Sequence, residues 1–212
     1  MEKVINVITL GDSGVGKTSI INRIKDGTFK NEYSVTINID HFFIRKKYEK
    51  KNLIIKLVFR DTAGQEIYKT MPLNYIRDCH VVLLVFSNID SLNEIKSRWY
   101  NYYKENANED NSRFLLVGNK SDIFGENRED IINQGQSFAD EIEAHFITCS
   151  AKSEDNMDNL ERFITTEAKR FIDDEERYNN VLHNINRRFN IDKNDSNNDD
   201  RDLNVKVIKL DI

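Results

Sequence analysis

Five short apolar runs punctuate the chain: VINVITL (4–10), LIIKLVF (53–59), VVLLVF (81–86), RFLLVGN (113–119) and HFITCS (145–150). Each has the length of a strand, and the segments between them carry apolar residues at helical spacing. This alternation predicts an α/β domain. The run at 81–86 has no polar residue, which suits a strand covered on both faces. The sheet is therefore expected to be mainly parallel, doubly wound with helices on both sides, and joined by right-handed crossovers. Residues 35–48 and 53–59, joined by the charged EKKN, read instead as an antiparallel hairpin at a sheet edge.

A long final helix is predicted from SEDNMDNLERF onward. Ser153 is placed to cap it, Glu154 and Asp155 suit its positive end, and Leu160, Phe163, Ile164, Phe171 and Ile172 recur at helical spacing. Tyr178, Val181, Leu182, Ile185 and Phe189 extend the pattern before NIDKNDSNNDDRD turns into a polar linker. The closing LNVKVIKLDI is strand-like, either a frayed end or a strand that docks on a sheet edge or a partner. The expected organisation is a domain over 1–172, then a C-terminal helical extension, polar linker and strand-like tail over 173–212.

Composition narrows the partners. The 212 residues suit one domain with an extension, and a net charge of −5 with both signs interspersed excludes the one-faced basic surplus of a nucleic-acid binder. Cys79 and Cys149 lie far apart in apolar surroundings without metal-ligand spacing, and read as reduced core thiols of a cytoplasmic protein. No apolar run approaches the ~20 residues that cross a bilayer, and no secretory signal opens the chain. Glu2 and the absence of a terminal cysteine leave no lipidation motif, and 173–212 carries seven basic against ten acidic side chains. The expectation is a soluble chain without a membrane anchor of its own, reaching membranes only through a partner.

The chemistry concentrates at the ends of the apolar runs. GDSGVGKT follows the first one and opens a helix, the setting that a phosphate-binding loop requires. In it Gly11, Asp12, Ser13, Gly14, Val15 and Gly16 offer backbone NH groups to phosphate oxygens. Lys17 adds a point charge, and the hydroxyl of Thr18, followed by Ser19, can ligate Mg²⁺. DTAGQE follows the next core strand, so Asp61 falls beside that loop where its carboxylate can hold a metal-bound water. Gly64 lets an NH approach a terminal phosphate, and Gln65 has the donor and acceptor needed to orient an attacking water. NKSD supplies Asn119, Lys120 and Asp122, whose carboxylate can accept from both the ring NH and the exocyclic amine of guanine, a pairing adenine cannot offer. Ser150, Ala151 and Lys152 (SAK) can bring a backbone NH to the guanine carbonyl.

In this order and spacing, GDSGVGKT, TINID, DTAGQE, LLVGNKSD and CSAK resemble the Ras superfamily of small GTPases, and within it the Rab family, over about residues 3–172. The resemblance implies a six-stranded doubly wound fold, GTP and GDP as ligands, Mg²⁺ as cofactor and two loops that change shape with the nucleotide. It also implies that Phe29 packs against guanine, that Thr36 joins Thr18 and Asp61 around Mg²⁺ when GTP is bound, and that Gln65 is catalytic. An exchange factor, an activating protein and effectors are implied as partners, with a role in vesicle trafficking and recruitment to endomembranes. Intrinsic hydrolysis is expected to be slow, because no internal arginine finger is evident.

The chain departs from the Rab pattern at Asn38 (for glycine), at His41 (for phenylalanine) and at Arg60 (for tryptophan), so that Tyr75 alone survives of an exposed aromatic triad. Arg60 precedes Asp61 on a strand and points away from it, which argues against its being a catalytic finger. It is expected either to solvate a strand end or, beside His41, to meet acidic partner residues. Three functions remain open on these residues: an active GTPase switch, a guanine-nucleotide-binding module with little or no turnover, and, disfavoured by Asp122, an adenine-nucleotide enzyme.

Overall fold

The computed structural model describes residues 1–29, 40–62, 73–107 and 112–188. Six strands form one sheet in the order β2-β3-β1-β4-β5-β6. They are β1 (Glu2–Leu10), β2 (Asp40–Tyr48), β3 (Leu53–Asp61), β4 (Val81–Phe86), β5 (Arg113–Gly118) and β6 (His145–Thr148). Only the β2–β3 pair is antiparallel; β1–β3, β1–β4, β4–β5 and β5–β6 are parallel. Order reverses at β1, the topological switch point where doubly wound sheets open a crevice at their carboxyl ends.

Burial follows the pattern of the sequence. β4 lies inside the sheet and every one of its residues is buried, whereas β3 alternates buried and half-buried along Leu53–Val58 because only one of its faces is covered there. Helices α1 (Lys17–Asp26), α5 (Arg128–Glu141) and α6 (Met157–Arg188) are joined by α2 (Leu73–Arg77) and by α3 (Ile89–Glu94), which runs through a π-helical turn, Ile95–Trp99, into α4 (Tyr100–Asn106). Asn88 opens α3 with a reciprocal cap, its side chain accepting from the Ser91 NH while the Ser91 hydroxyl accepts from the Asn88 NH. One core packs Ile8, Leu10, Val82, Leu84 and Phe86 of the sheet against Leu92, Ile95, Trp99, Tyr103 and Phe138. Each large side chain so buried contributes about 1.5–3 kcal/mol.

Both cysteines are free and buried, and burial pushes each thiol up to about 12. Thiols held protonated in this way are inert at neutral pH.

The hairpin is joined at EKKN as expected, by a single 3-10 turn (Glu49–Lys51) closed by Asn52 in the left-handed region at φ 48°. One expectation changes. Ser153 does not cap α6: it lies in a turn, its NH donating to the Ser150 hydroxyl at 3.1 Å, and the helix starts at Met157 with the Asn156 carbonyl accepting from Leu160. Ser150 draws the backbone of Ser153 toward the end of β6, which delays the helix by one turn. The chain divides into two compact units, Met1–Phe171 and Ile172–Ile212. The polar linker and the strand-like tail expected at 190–212 lie outside the described residues, as does the start of the hairpin at 35–39.

Candidate functional site

β1 delivers the chain to Gly11 at the carboxyl end of the sheet, and the turn from 11 to 16 feeds directly into α1. Gly11 passes so close to β4 that a Cβ there would lie 2.1 Å from the Val85 carbonyl oxygen. Gly16, at φ 97°, would place a Cβ 2.3 Å from Nδ2 of Asn119. The first turn of α1 contains no acidic residue, so the positive end of its dipole and its free NH groups face the loop unopposed.

Lys17 is buried, and its ammonium donates to the carbonyls of Gly11 at 2.7 Å and Asp12 at 2.8 Å. Burial lowers its pKa to about 8, with the carboxylates of Asp61 and Asp12 opposing that shift. A cation desolvated at a helix N-terminus gains most from an anion, and phosphate has the required charge and geometry. Thr18 donates through Oγ1 to Oδ2 of Asp61 at 2.6 Å; Asp61 is fully buried, with Oδ1 3.5 Å from Oγ1 of Thr9. A hydroxyl and a carboxylate side by side are hard oxygen donors, the kind Mg²⁺ takes, so the residues present fit that ion.

The NKSD and SAK residues gather beside the same loop. The buried Asn119 amide donates to the Val15 carbonyl at 2.8 Å and accepts from the Ala151 NH at 3.2 Å, so one side chain ties the loop after β1 to the loop after β6. Lys120 follows in the left-handed region at φ 63°, turning the chain so that Asp122 reaches Ser150, whose hydroxyl donates to Oδ1 at 2.6 Å. Asp122 and Lys152 are exposed, whereas Ser150 and Ala151 are buried. Ser13 and Gly14 lie exposed in the loop, and Ser19 is half-buried in the first turn of α1. Thr36, Gly64 and Gln65 fall outside the described residues, as does Asn38.

Two further residues belong to this framework and carry no motif. Arg23 donates from Nε to the Ala151 carbonyl at 2.9 Å and from Nη2 to that of Lys152 at 3.3 Å, while its guanidinium lies 5.9 Å from the centre of the Phe29 ring. Phe29 is thereby brought to the loop after β6 from the end of α1. Trp99, the only tryptophan of the chain, donates its indole NH to Oδ1 of Asp12 at 2.8 Å. Its direction depends on the π-helical turn, a change of helical phase that hydrophobic spacing does not encode. Trp99→Phe should keep the packing but remove the donor. Hydrogen bonds to charged groups contribute about 1.5–3 kcal/mol, and Asp12 is only half-buried, so GDP should leave roughly tenfold faster or less. Displacement of a fluorescent GDP checks this, and an unchanged rate would remove Trp99 from the site.

Arg60 corrects both expectations made for it. His41 and Arg60 are cross-strand partners, but Arg60 is only 8% exposed, so it neither solvates a strand end nor presents its charge on the surface. Its guanidinium lies 5.1 Å from the Tyr75 ring centre and Nη1 donates to the Tyr75 carbonyl at 2.5 Å, while Nε has no hydrogen-bond partner among the described residues. His41 meets the same ring at 5.2 Å between centroids, with Nε2 3.3 Å from the Tyr75 hydroxyl. The physical reason is that a planar, weakly hydrated guanidinium stacks well on an aromatic face, which offsets its desolvation.

Comparison with known proteins agrees with this geometry. The model of the Ras family matches residues 6–170. Ras-related protein SEC4 of Saccharomyces cerevisiae is 35% identical over 161 residues, covering 75% of this chain and 72% of that protein. GTP-binding protein yptV2 of Volvox carteri is 36% identical over 165 residues, covering 77% and 73%. Ras-related protein RABE1d of Arabidopsis thaliana is 36% identical over 168 residues, covering 78% and 76%. Matched by that family model over residues 6–170 and by relatives 35–36% identical over three quarters of its length, the chain belongs to the Ras family of small GTPases, in its Rab-like branch, and as such binds GTP and GDP with Mg²⁺ and hydrolyses GTP.

Proposed function

We propose that the residues assembled around Asn119 form the nucleotide site of a switch that serves vesicle trafficking. The observation that carries the proposal is the Asn119 amide bridging the loop after β1 and the loop after β6, since it fixes the distance between a phosphate cradle and a base-reading carboxylate. In this reading the backbone of residues 11–16, with Lys17, Thr18 and Ser19, holds the phosphates. Asp122 accepts from the two guanine donors, Ser150 orients that carboxylate, the backbone of Ala151 and Lys152 meets the guanine carbonyl, and Phe29 stacks on the base. Thr18, Asp61 and, in the GTP state, Thr36 would hold Mg²⁺, which would supply neutralisation of the charge that develops on the phosphates. Gly64 contacts the terminal phosphate through its NH, and Gln65 aligns the attacking water. Partners of three kinds are expected: an exchange factor, an activating protein that supplies what intrinsic hydrolysis lacks, and effectors that read the GTP state. Similarity to Rab-type relatives supports the trafficking role and recruitment from the cytoplasm to endomembranes by a partner.

Gln65→Leu tests the catalytic assignment. Loss of one positioning hydrogen bond in a transition state costs about 2.7–4 kcal/mol, so single-turnover phosphate release should slow on the order of a hundredfold while GDP affinity is kept. An unchanged rate would take the catalytic role away from Gln65.

A further inference from the structure

Arg23 leaves the last turn of α1 and reaches the loop after β6 through all three nitrogens of its guanidinium. Nε donates to the Ala151 carbonyl at 2.9 Å and Nη2 to the Lys152 carbonyl at 3.3 Å. Nη1 donates to the Gly27 carbonyl at 2.5 Å and to Oε1 of Glu154 at 2.5 Å. Gly27 closes α1 in the left-handed region at φ 70°, so the guanidinium is fixed against the end of its own helix before it reaches across. The Arg23 side chain is 11% exposed and that of Glu154 67%. An ion pair so open to solvent contributes little, and the fork onto two carbonyls carries the contact.

Those two carbonyls belong to consecutive peptide units, and a planar trans unit sends its NH opposite to its C=O. Holding the Ala151 carbonyl therefore aims the Lys152 NH away from the guanidinium, and holding the Lys152 carbonyl does the same for the Ser153 NH. The second of these has its target in the structure: the Ser153 NH donates to the Ser150 hydroxyl at 3.1 Å, and that hydroxyl donates to Oδ1 of Asp122 at 2.6 Å. Three hydrogen bonds and one peptide unit thus connect Arg23 to the Asp122 carboxylate. The loop also needs holding. Glu154 and Asn156 stand in the left-handed region at φ 67° and 57°, which residues other than glycine keep only where neighbours impose it. Ser121 holds the far part of the loop through Oδ2 of Asp155 at 3.0 Å, and Arg23 holds the near part.

We propose that Arg23 is a positioning residue for base recognition: its fork sets the aim of the Lys152 NH and, through Ser153 and Ser150, of the Asp122 carboxylate. It thereby governs how sharply the site tells guanine from purines that lack its amine or its carbonyl. The proposal rests on the base-reading roles given above to Asp122 and to the backbone of Ala151 and Lys152. Loss of the fork misaims particular hydrogen bonds, so it weakens most the ligands that use them, whereas a general loosening of the domain weakens every nucleotide alike. The guanidinium also lies 5.9 Å from the centre of the Phe29 ring. Stacking on that ring is open to any flat base, so this second contact cannot produce selectivity.

The test uses the full chain and three ligands: GDP, inosine diphosphate, which lacks the exocyclic amine, and 2-aminopurine riboside diphosphate, which lacks the carbonyl and the ring NH. Affinities are read by competition against a fluorescent GDP in Mg²⁺ buffer. Arg23→Met removes the fork and keeps an unbranched stem. It should weaken GDP about tenfold or more and the two analogues about threefold or less, so that the preference for guanine narrows. Glu154→Gln should change GDP affinity by about twofold or less. If Arg23→Met does not fold, Arg23→Lys, a point charge without the planar fork, should narrow the preference in the same direction. Equal losses for all three ligands, or no loss, in a protein whose wild type discriminates them would overturn the role of Arg23 and leave the base-reading assignment standing. A Glu154→Gln loss as large as that of Arg23→Met would overturn the fork as its instrument. Wild-type protein that binds the three ligands alike would overturn the base-reading assignment itself.

Discussion

Asp122→Asn is expected to convert a guanine site into a xanthine site. In the reading proposed above the carboxylate would accept from two guanine NH groups, whereas an amide could accept from only one while presenting its own NH₂ to the other. Hydrogen bonds to a charged group contribute about 1.5–3 kcal/mol each, and leaving partners unmatched in a polar site is what makes discrimination large. Loss of both contacts should weaken GDP by roughly two to four decades. Xanthine replaces the exocyclic amine with a carbonyl that the new amide can donate to, so xanthosine diphosphate should recover most of that loss. The Ser150 hydroxyl, 2.6 Å from Oδ1 of Asp122, can hold the amide oxygen in the same place, so the substitution changes the hydrogen-bond code without releasing the loop. Competition among GDP, xanthosine diphosphate and ADP reads the outcome. An unaltered preference for GDP would show that Asp122 does not read the base.

Gly16→Ala should do comparable damage through a different route. The methyl group would sit 2.3 Å from Nδ2 of Asn119, at a φ of 97° that L side chains rarely adopt. Relief requires Asn119 to move, which breaks its bonds to both Val15 and Ala151. Buried polar groups left unsatisfied cost about 1–3 kcal/mol each, so nucleotide affinity should fall by about a hundredfold or more, and the stabilisation that bound GDP confers should fall with it. Gly14→Ala is the informative comparison: φ there is 79°, but among the described residues nothing lies within 4 Å of the added methyl. Backbone strain alone therefore predicts similar losses at the two positions, whereas displacement of Asn119 predicts a much larger one at Gly16. Isothermal titration with GDP separates them.

Most of the sheet was legible because its strands are short apolar runs whose period and length leave few alternatives. β4 is the clearest case, six apolar residues that end up wholly buried between β1 and β5. The phosphate loop was equally legible, since glycine spacing and a following helix are local properties. Helix boundaries were less so. Ser153 has the chemistry of a cap, but the contact that its NH makes with Ser150 is set by how the loop after β6 folds back, and residue type alone does not carry that. Arg23 and Trp99 illustrate a second limit: both act on the site across long sequence separations, and neither stands in a recurring pattern. Arg60 illustrates a third. The Rab resemblance implied the pairing with His41, and the β2–β3 register has it, but the burial of Arg60 depends on where Tyr75 of α2 comes to rest, a tertiary contact that turns an apparent surface charge into a stacked one.

The most direct test of the central claim, that this chain is a guanine-specific GTPase, is the identity of the nucleotide that stays with the purified full-length protein in Mg²⁺ buffer. Tight binding through Lys17, Asn119 and Asp122 with slow turnover predicts about one equivalent of GDP per chain, released on chelation of Mg²⁺ as the metal's share of the affinity is lost. Recovery of GTP that persists unhydrolysed on standing, or of ADP or ATP, would contradict the account.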